Sequence, residues 1–291
     1  MSTDSAIVMP RRDSLHLSTP CSGNRAVISH VSENTSGKSE HFSRTRRLFD
    51  GGPRIAAPSF VIPDTVGGNC RHLEGMVDEV SLTFFETDSC LAYDENDLPP
   101  DLSELNLRYS VHLPLDLPWQ EGVTSVAEAI LALARKVDYL RPTAYVLHPP
   151  DDARKLGQLS QLLADGGIAT ESVLIENIEG NDLSACWGEI AENGYGVCLD
   201  IGHRIAFGQD GLESLPGLWE RVRMLHVYGP GPRGEHGPLD DLDEKGANML
   251  RRWVGRLPQD GSLVLEVFRQ GQLESSLRRL HKLLGDREDG A

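Results

Sequence analysis

From Pro53 onward, short apolar runs recur along the chain, separated by stretches in which apolar and polar residues are mixed. The runs lie at 54–62 (RIAAPSFVI), 77–85 (VDEVSLTFF), 107–113 (LRYSVHL), 144–148 (AYVLH), 172–178 (SVLIENI), 197–201 (VCLDI), 223–228 (RMLHVY) and 262–268 (SLVLEVF). Each has the length of a strand, and near-continuous hydrophobicity is what a strand buried on both faces requires. The intervening stretches carry helix signals. Ser125-Val-Ala-Glu128 has the spacing of a capping box and opens an Ala- and Leu-rich segment reaching Leu140. Asp151 is placed to cap a helix stopped by Gly166-Gly167, and Gly194 to end another. Leu273, Leu277, Leu280 and Leu284 form a one-sided apolar face. Only 87–106, interrupted by Pro99-Pro100, lacks a clear helix. Eight strands alternating with helices predict a (β/α)8 TIM barrel over 53–291. The alternative is a doubly wound open sheet, but no G-x-G-x-x-G follows the first strand.

Residues 1–52 break this rhythm. They are rich in Ser, Thr, Asn, Arg and His, have no sustained period, and are expected to form a disordered tail. The tail carries a net +2, so of the formal −16 of the whole chain the barrel holds −18. So acidic a body repels polyanions, and nucleic acid is not an expected partner. Five cysteines without a C-x-x-C pair imply a reducing compartment, and no apolar stretch is long enough to span a membrane. The expectation is a cytoplasmic protein without a membrane partner.

In such barrels the chemistry gathers at the C-terminal ends of the strands. Those ends carry Glu86, His112, His148, Glu176, Asp200 with His203, His226 and Glu266, and His236 follows in the loop after the seventh strand. Between Asp200 and His203, Gly202 is expected to let the backbone turn sharply. Singly, each polar residue reads as a structural group: a hydrogen-bonded His, a capping Asp, a Glu paired with Arg. Together on one barrel mouth, several carboxylates and imidazoles would be mutually costly without a cation. Imidazole and carboxylate donors without thiolate fit Zn2+, Mn2+ or Fe2+. Cys198 shares a face with Asp200 and is read as lining the core. Arg233, in a Gly- and Pro-rich loop, either reaches a phosphate or is solvated.

The order His112, His148, Glu176, Asp200-x-x-His203, His226, His236, Glu266 resembles the xylose-isomerase-like TIM barrels, most fully their endonuclease IV branch. The resemblance implies a cluster of two or three divalent cations. Glu176 would bridge two, His112 and His148 would hold the first, and Asp200, His226 and Glu266 the second. His203 and His236 would hold a third with an Asp two residues before His236, but that position is Gly234, beside Glu235. The phrases Ala57-Pro-Ser-Phe-Val-Ile-Pro-Asp64, Phe84-Phe-Glu86 and His112-Leu-Pro-Leu-Asp-Leu-Pro-Trp119 are similar to those of the cobamide-remodelling phosphodiesterases. That similarity implies hydrolysis of a small-molecule substrate, the nucleotide loop of a cobamide, at its phosphoribosyl linkage. Glu176, Glu266 and His148 would be the catalytic residues, and Glu86, Trp119 and Arg233 would contact substrate. The competing expectation is a sugar or sugar-phosphate isomerase or epimerase using one cation held by Glu176, Asp200, His226 and Glu266.

Overall fold

The structure, a computed structural model, describes residues 52–285. The expected tail therefore lies, but for Gly52, outside the described residues. The strands are β1 Arg54–Pro58, β2 Glu79–Thr83, β3 Arg108–His112, β4 Tyr145–Leu147, β5 Val173–Glu176, β6 Gly196–Asp200 and β7 Val222–Val227. A two-stranded ribbon follows (β8 Gly229–Pro230, β9 His236–Gly237), and β10 Ser262–Leu265 completes the set. Eight of them close in the order β1-β10-β7-β6-β5-β4-β3-β2, each pair parallel. This is a TIM barrel. All eight apolar runs contain strands; six strands are shorter than their runs, while β6 and β7 match theirs in length and start one residue earlier.

Side-chain alternation explains where the polar groups stand. A cluster of Ala56, Ala144, Val146, Leu174, Cys198, Met224 and Val264 fills the barrel interior. Two residues further along the same strands come His148, Glu176, Asp200, His226 and Glu266, one layer nearer the mouth on the same inward face. Burial pushes the Cys198 thiol up to about 12, so it serves as neutral filler beneath Asp200.

Outside the barrel lie the helices α1 Val66–Leu73, α2 Thr87–Leu91, α3 Val123–Val137, α4 Arg154–Asp165, α5 Trp187–Asn193, α6 Ile201–Ala206, α7 Leu218–Arg221, α8 Glu244–Val254 and α9 Gln270–Gly285. Leu273, Leu277, Leu280 and Leu284 are all buried on α9, and Gly194 ends α5 in the left-handed conformation. Two capping expectations fail. Helix α3 starts at Val123 behind Gly122, so Ser125 and Glu128 lie inside it and Ser125 caps nothing. Helix α4 is entered through Ala153, and Asp152, not Asp151, accepts the N–H of Arg154 (3.1 Å). The weak second helix is real in its weakness: α2 is a single turn, and a 3-10 turn at Pro100–Glu104 fills the remaining space.

Candidate metal centre

Three overlapping groups of donors lie at the mouth, each with its ligand atoms within 4.8 Å of one another. They are His112, His148 and Glu176; His112, His226 and Glu266; and Glu176, Asp200, His226 and Glu266. Glu176 joins the first and third. Its Oε2 lies 3.2 Å from His112 Nε2 and 3.3 Å from His148 Nε2, while its Oε1 lies 2.9 Å from His226 Nδ1. His226 Nδ1 is also 3.2 Å from Glu266 Oε2.

These contacts are poorly served by protons alone. His112 Nδ1 donates to the Leu113 carbonyl (3.0 Å), so in a neutral ring Nε2 turns a lone pair toward the Glu176 carboxylate. Two acceptors facing each other need an extra proton or a cation between them. Asp200 Oδ1 accepts the N–H of His203 as the cap of α6, but its Oδ2 is buried without a hydrogen-bond partner, as is Glu266 Oε2. Orphaned buried carboxylate oxygens are costly, and a divalent cation would satisfy both. The donor set, imidazole nitrogen and carboxylate oxygen without thiolate, fits such an ion.

The titration behaviour has the same origin. Burial opposes ionisation of Glu176, but the charge of His226 and hydrogen bonds from His112, His148 and His226 hold its carboxyl well below the ordinary value. Burial likewise opposes ionisation of Glu266, and His226 and His236 bring it down to about 2. Asp200 moves the other way, pushed well up by burial and by the charges of Glu176 and Glu266. Burial disfavours the His226 imidazolium, yet Cys198, Glu266 and Glu176 around it raise its pKa well above the usual range. Without a cation, protons stand in for the missing positive charge.

His203 and His236 are held differently. Each donates from Nδ1 to a backbone carbonyl, His203 to Asn177 and His236 to Glu266 (2.9 Å each), and among the described residues neither Nε2 has a partner. The two rings lie 6.1 Å apart and neither belongs to the three donor groups. The position where the resemblance implied a carboxylate beside them is a glycine that packs closely. Gly234 has φ +82°, and a Cβ there would come 2.8 Å from the Phe207 ring. Glu235 does not replace it, because its carboxylate takes the Arg233 Nε (2.8 Å) and backbone N–H (2.9 Å).

None of the residues assigned to substrate is a member of these groups. Glu86 is exposed and accepts the Ser89 hydroxyl. Arg233 is exposed and paired with Glu235. Trp119 is half-buried against the core with Lys155 Nζ 5.8 Å from its ring centre.

Sequence reasoning missed three supports. Asn177, fully buried, accepts the Asp200 N–H (2.8 Å) and donates to the Asp200 carbonyl (2.9 Å) and to Gln209 Oε1 (2.8 Å), clamping the end of β6. Tyr228 stacks on His236 with ring centres 3.8 Å apart. Gly202 makes no sharp turn; it lies within α6, and its missing side chain is what admits the Tyr228 ring. The Glu176-Asn177 pair at a strand end was the one available signal for the clamp.

No family model matches the sequence, and no curated protein matches it. Solved structures do match in fold. A D-tagatose 3-epimerase-like protein is 16% identical with TM-score 0.65, over 80% of this chain and 97% of that one. Endonuclease IV from Thermus thermophilus is 20% identical with TM-score 0.59, over 80% of this chain and 100% of that one. The IOLI protein with a binding zinc atom is 11% identical with TM-score 0.57, over 80% of this chain and 95% of that one. At these identities the likeness is one of fold.

Proposed function

We propose that this chain is a metal-dependent phosphodiesterase acting on a small, cofactor-like substrate, with the phosphoribosyl linkage in the nucleotide loop of a cobamide as the bond cleaved. The observation that carries the reading is the position of Glu176 between two overlapping donor sets, its Oε2 facing His112 and His148 and its Oε1 facing His226 in the set with Asp200 and Glu266. A one-cation site has no use for the first group. The missing carboxylate at Gly234 makes the expected number of cations two.

Divalent cations bound there would supply Lewis acidity, lowering the pKa of water and neutralising charge that develops on the phosphate. The protein's part is to fix their ligands. Asn177 and the cap of α6 hold Asp200, and the Leu113 carbonyl sets the tautomer of His112. Glu266, held at about 2, suits ligation better than taking up a proton. His148 has the most exposed side chain among these groups, 28% against 9% or less, which supports approach of the substrate from the β4 side. The cobamide itself is supported by the phrases around Pro58, Phe84 and His112 alone.

Incubated with a complete cobamide and Zn2+, Mn2+ or Fe2+, the protein should release the lower-ligand riboside and leave a corrinoid bearing a terminal phosphate. Chelator should stop the reaction. Hydrolysis of other phosphodiesters without any corrinoid product would remove the substrate and keep the chemistry.

A second reading has its own observation. Glu176, Asp200, His226 and Glu266 form one compact quartet, the expected set for a single-cation isomerase or epimerase. Interconversion of a sugar phosphate by protein holding one metal per chain would establish it in place of the first.

A further inference from the structure

The barrel mouth is divided into two arcs. Every donor in the three groups belongs to the mouth ends of β3 to β7 or β10, and none comes from β1 or β2. Those two strands end in aromatic residues instead, Phe60 just beyond β1 and Phe85 just beyond β2. Phe60 meets Phe85 edge-on with centres 5.3 Å apart, and Phe85 lies 6.0 Å from Phe268, which follows β10. Leu115, beyond β3, is tied to the same row by its N–H, which donates to the Phe85 carbonyl (3.2 Å). At its other end the row approaches the donor cluster through His236, whose ring lies 5.4 Å from that of Phe268 and whose Nδ1 lies 3.7 Å from Glu266 Oε2.

The row is open to solvent at its outer end. Phe60 is 38% exposed and Leu115 50%, two of the three large apolar side chains exposed among the described residues. Leaving neighbouring apolar groups uncovered beside a polar centre forfeits burial energy unless something covers them. Sugar hydroxyls would find no side-chain partner on Phe60, Phe85, Phe268 or Leu115, whereas a flat ring would find π-faces and edges.

We propose that this row is a platform on which a flat aromatic ring of the substrate stacks while its phosphodiester lies over Glu176. The proposal rests on the phosphodiesterase reading and deepens it by giving the base its place: in a phosphodiester that carries a heterocyclic base on its sugar, the ring would lie on Phe60, Phe85 and Phe268. The continuity from Phe85 through Phe268 to His236, whose Nδ1 lies 3.7 Å from Glu266 Oε2, joins the row to the donor groups.

The test compares two ligands sharing a sugar phosphate and differing in the ring, adenosine 5′-monophosphate and ribose 5-phosphate, titrated calorimetrically into metal-loaded protein. The ring-bearing ligand should bind at least tenfold more tightly, about 1.4 kcal/mol. The double variant Phe60→Ala/Phe85→Ala should bring the two affinities within about twofold by weakening only the nucleotide. Unchanged ribose 5-phosphate binding shows that this variant is folded, and Phe60→Tyr should keep the wild-type ratio. Equal affinities in the wild type, or variants that weaken both ligands alike, would overturn the platform. Conversion of ribose 5-phosphate to a ketose would instead remove the phosphodiesterase reading, and the affinity ratio would still be read on its own.

Discussion

Glu176 is the residue on which the centre turns. Because its two oxygens serve two donor groups, Glu176→Gln removes charge from both at once, and metal content and activity should fall together while circular dichroism stays unchanged. Asn177 makes a subtler prediction. Its side chain touches no ligand group of the centre except through the backbone of Asp200, so Asn177→Ala should weaken metal binding by roughly 10–100-fold without removing a ligand. A metal titration with wild-type affinity would show that the clamp is dispensable. The ligand-type residues were legible in the sequence because Asp, Glu and His at successive strand ends are chemically conspicuous. Asn177, Gly202 and Tyr228 were not, because their roles exist only across strands: a hydrogen bond from β5 to β6, and a ring that needs an absent side chain on another element.

At the scale of elements, periodicity located every barrel strand and misplaced two helix starts. Apolar runs report burial directly, whereas a cap depends on where the chain leaves the preceding loop. The Ser125 motif has the right letters, but Gly122 at φ +109° starts α3 earlier, so the hydroxyl has no free N–H to receive. Ser125→Ala should therefore change stability by less than about 0.5 kcal/mol. Asp243 does cap α8, accepting the Gly246 N–H at 2.8 Å, and Asp243→Ala should cost about 1 kcal/mol in urea denaturation. Equal effects would contradict these assignments. The short β8–β9 ribbon, which carries His236 to the mouth, has no periodic signal at all, since two-residue strands are too brief to show one.

For the whole molecule, the charge pattern governs both partners and pH response. The −18 of the barrel segment opposes non-specific DNA affinity, so the proposal excludes duplex DNA as substrate despite the fold shared with endonuclease IV. In the metal-free protein, the raised pKa of His226 means that its stabilisation is complete below about pH 6.5 and is lost as pH rises through the folded value. Asp200, also raised, begins to lose its contribution above the ordinary carboxylate range. Glu266 has the opposite sign, its stabilisation disappearing as pH falls from the ordinary carboxylate value toward about 2. Cations displace the extra protons, so the gap in melting temperature between metal-loaded and chelated protein should widen from pH 6 to pH 9. A gap that narrows would contradict this assignment of charges.

The central claim is that Glu176 is shared between two cation sites, and metal stoichiometry tests it most directly. Elemental analysis of the purified, metal-saturated protein should give two ions per chain, with His148→Ala lowering that number and cutting phosphodiester turnover at least about a hundredfold, roughly 3 kcal/mol. One ion per chain in the wild type, unchanged by His148→Ala, would contradict it.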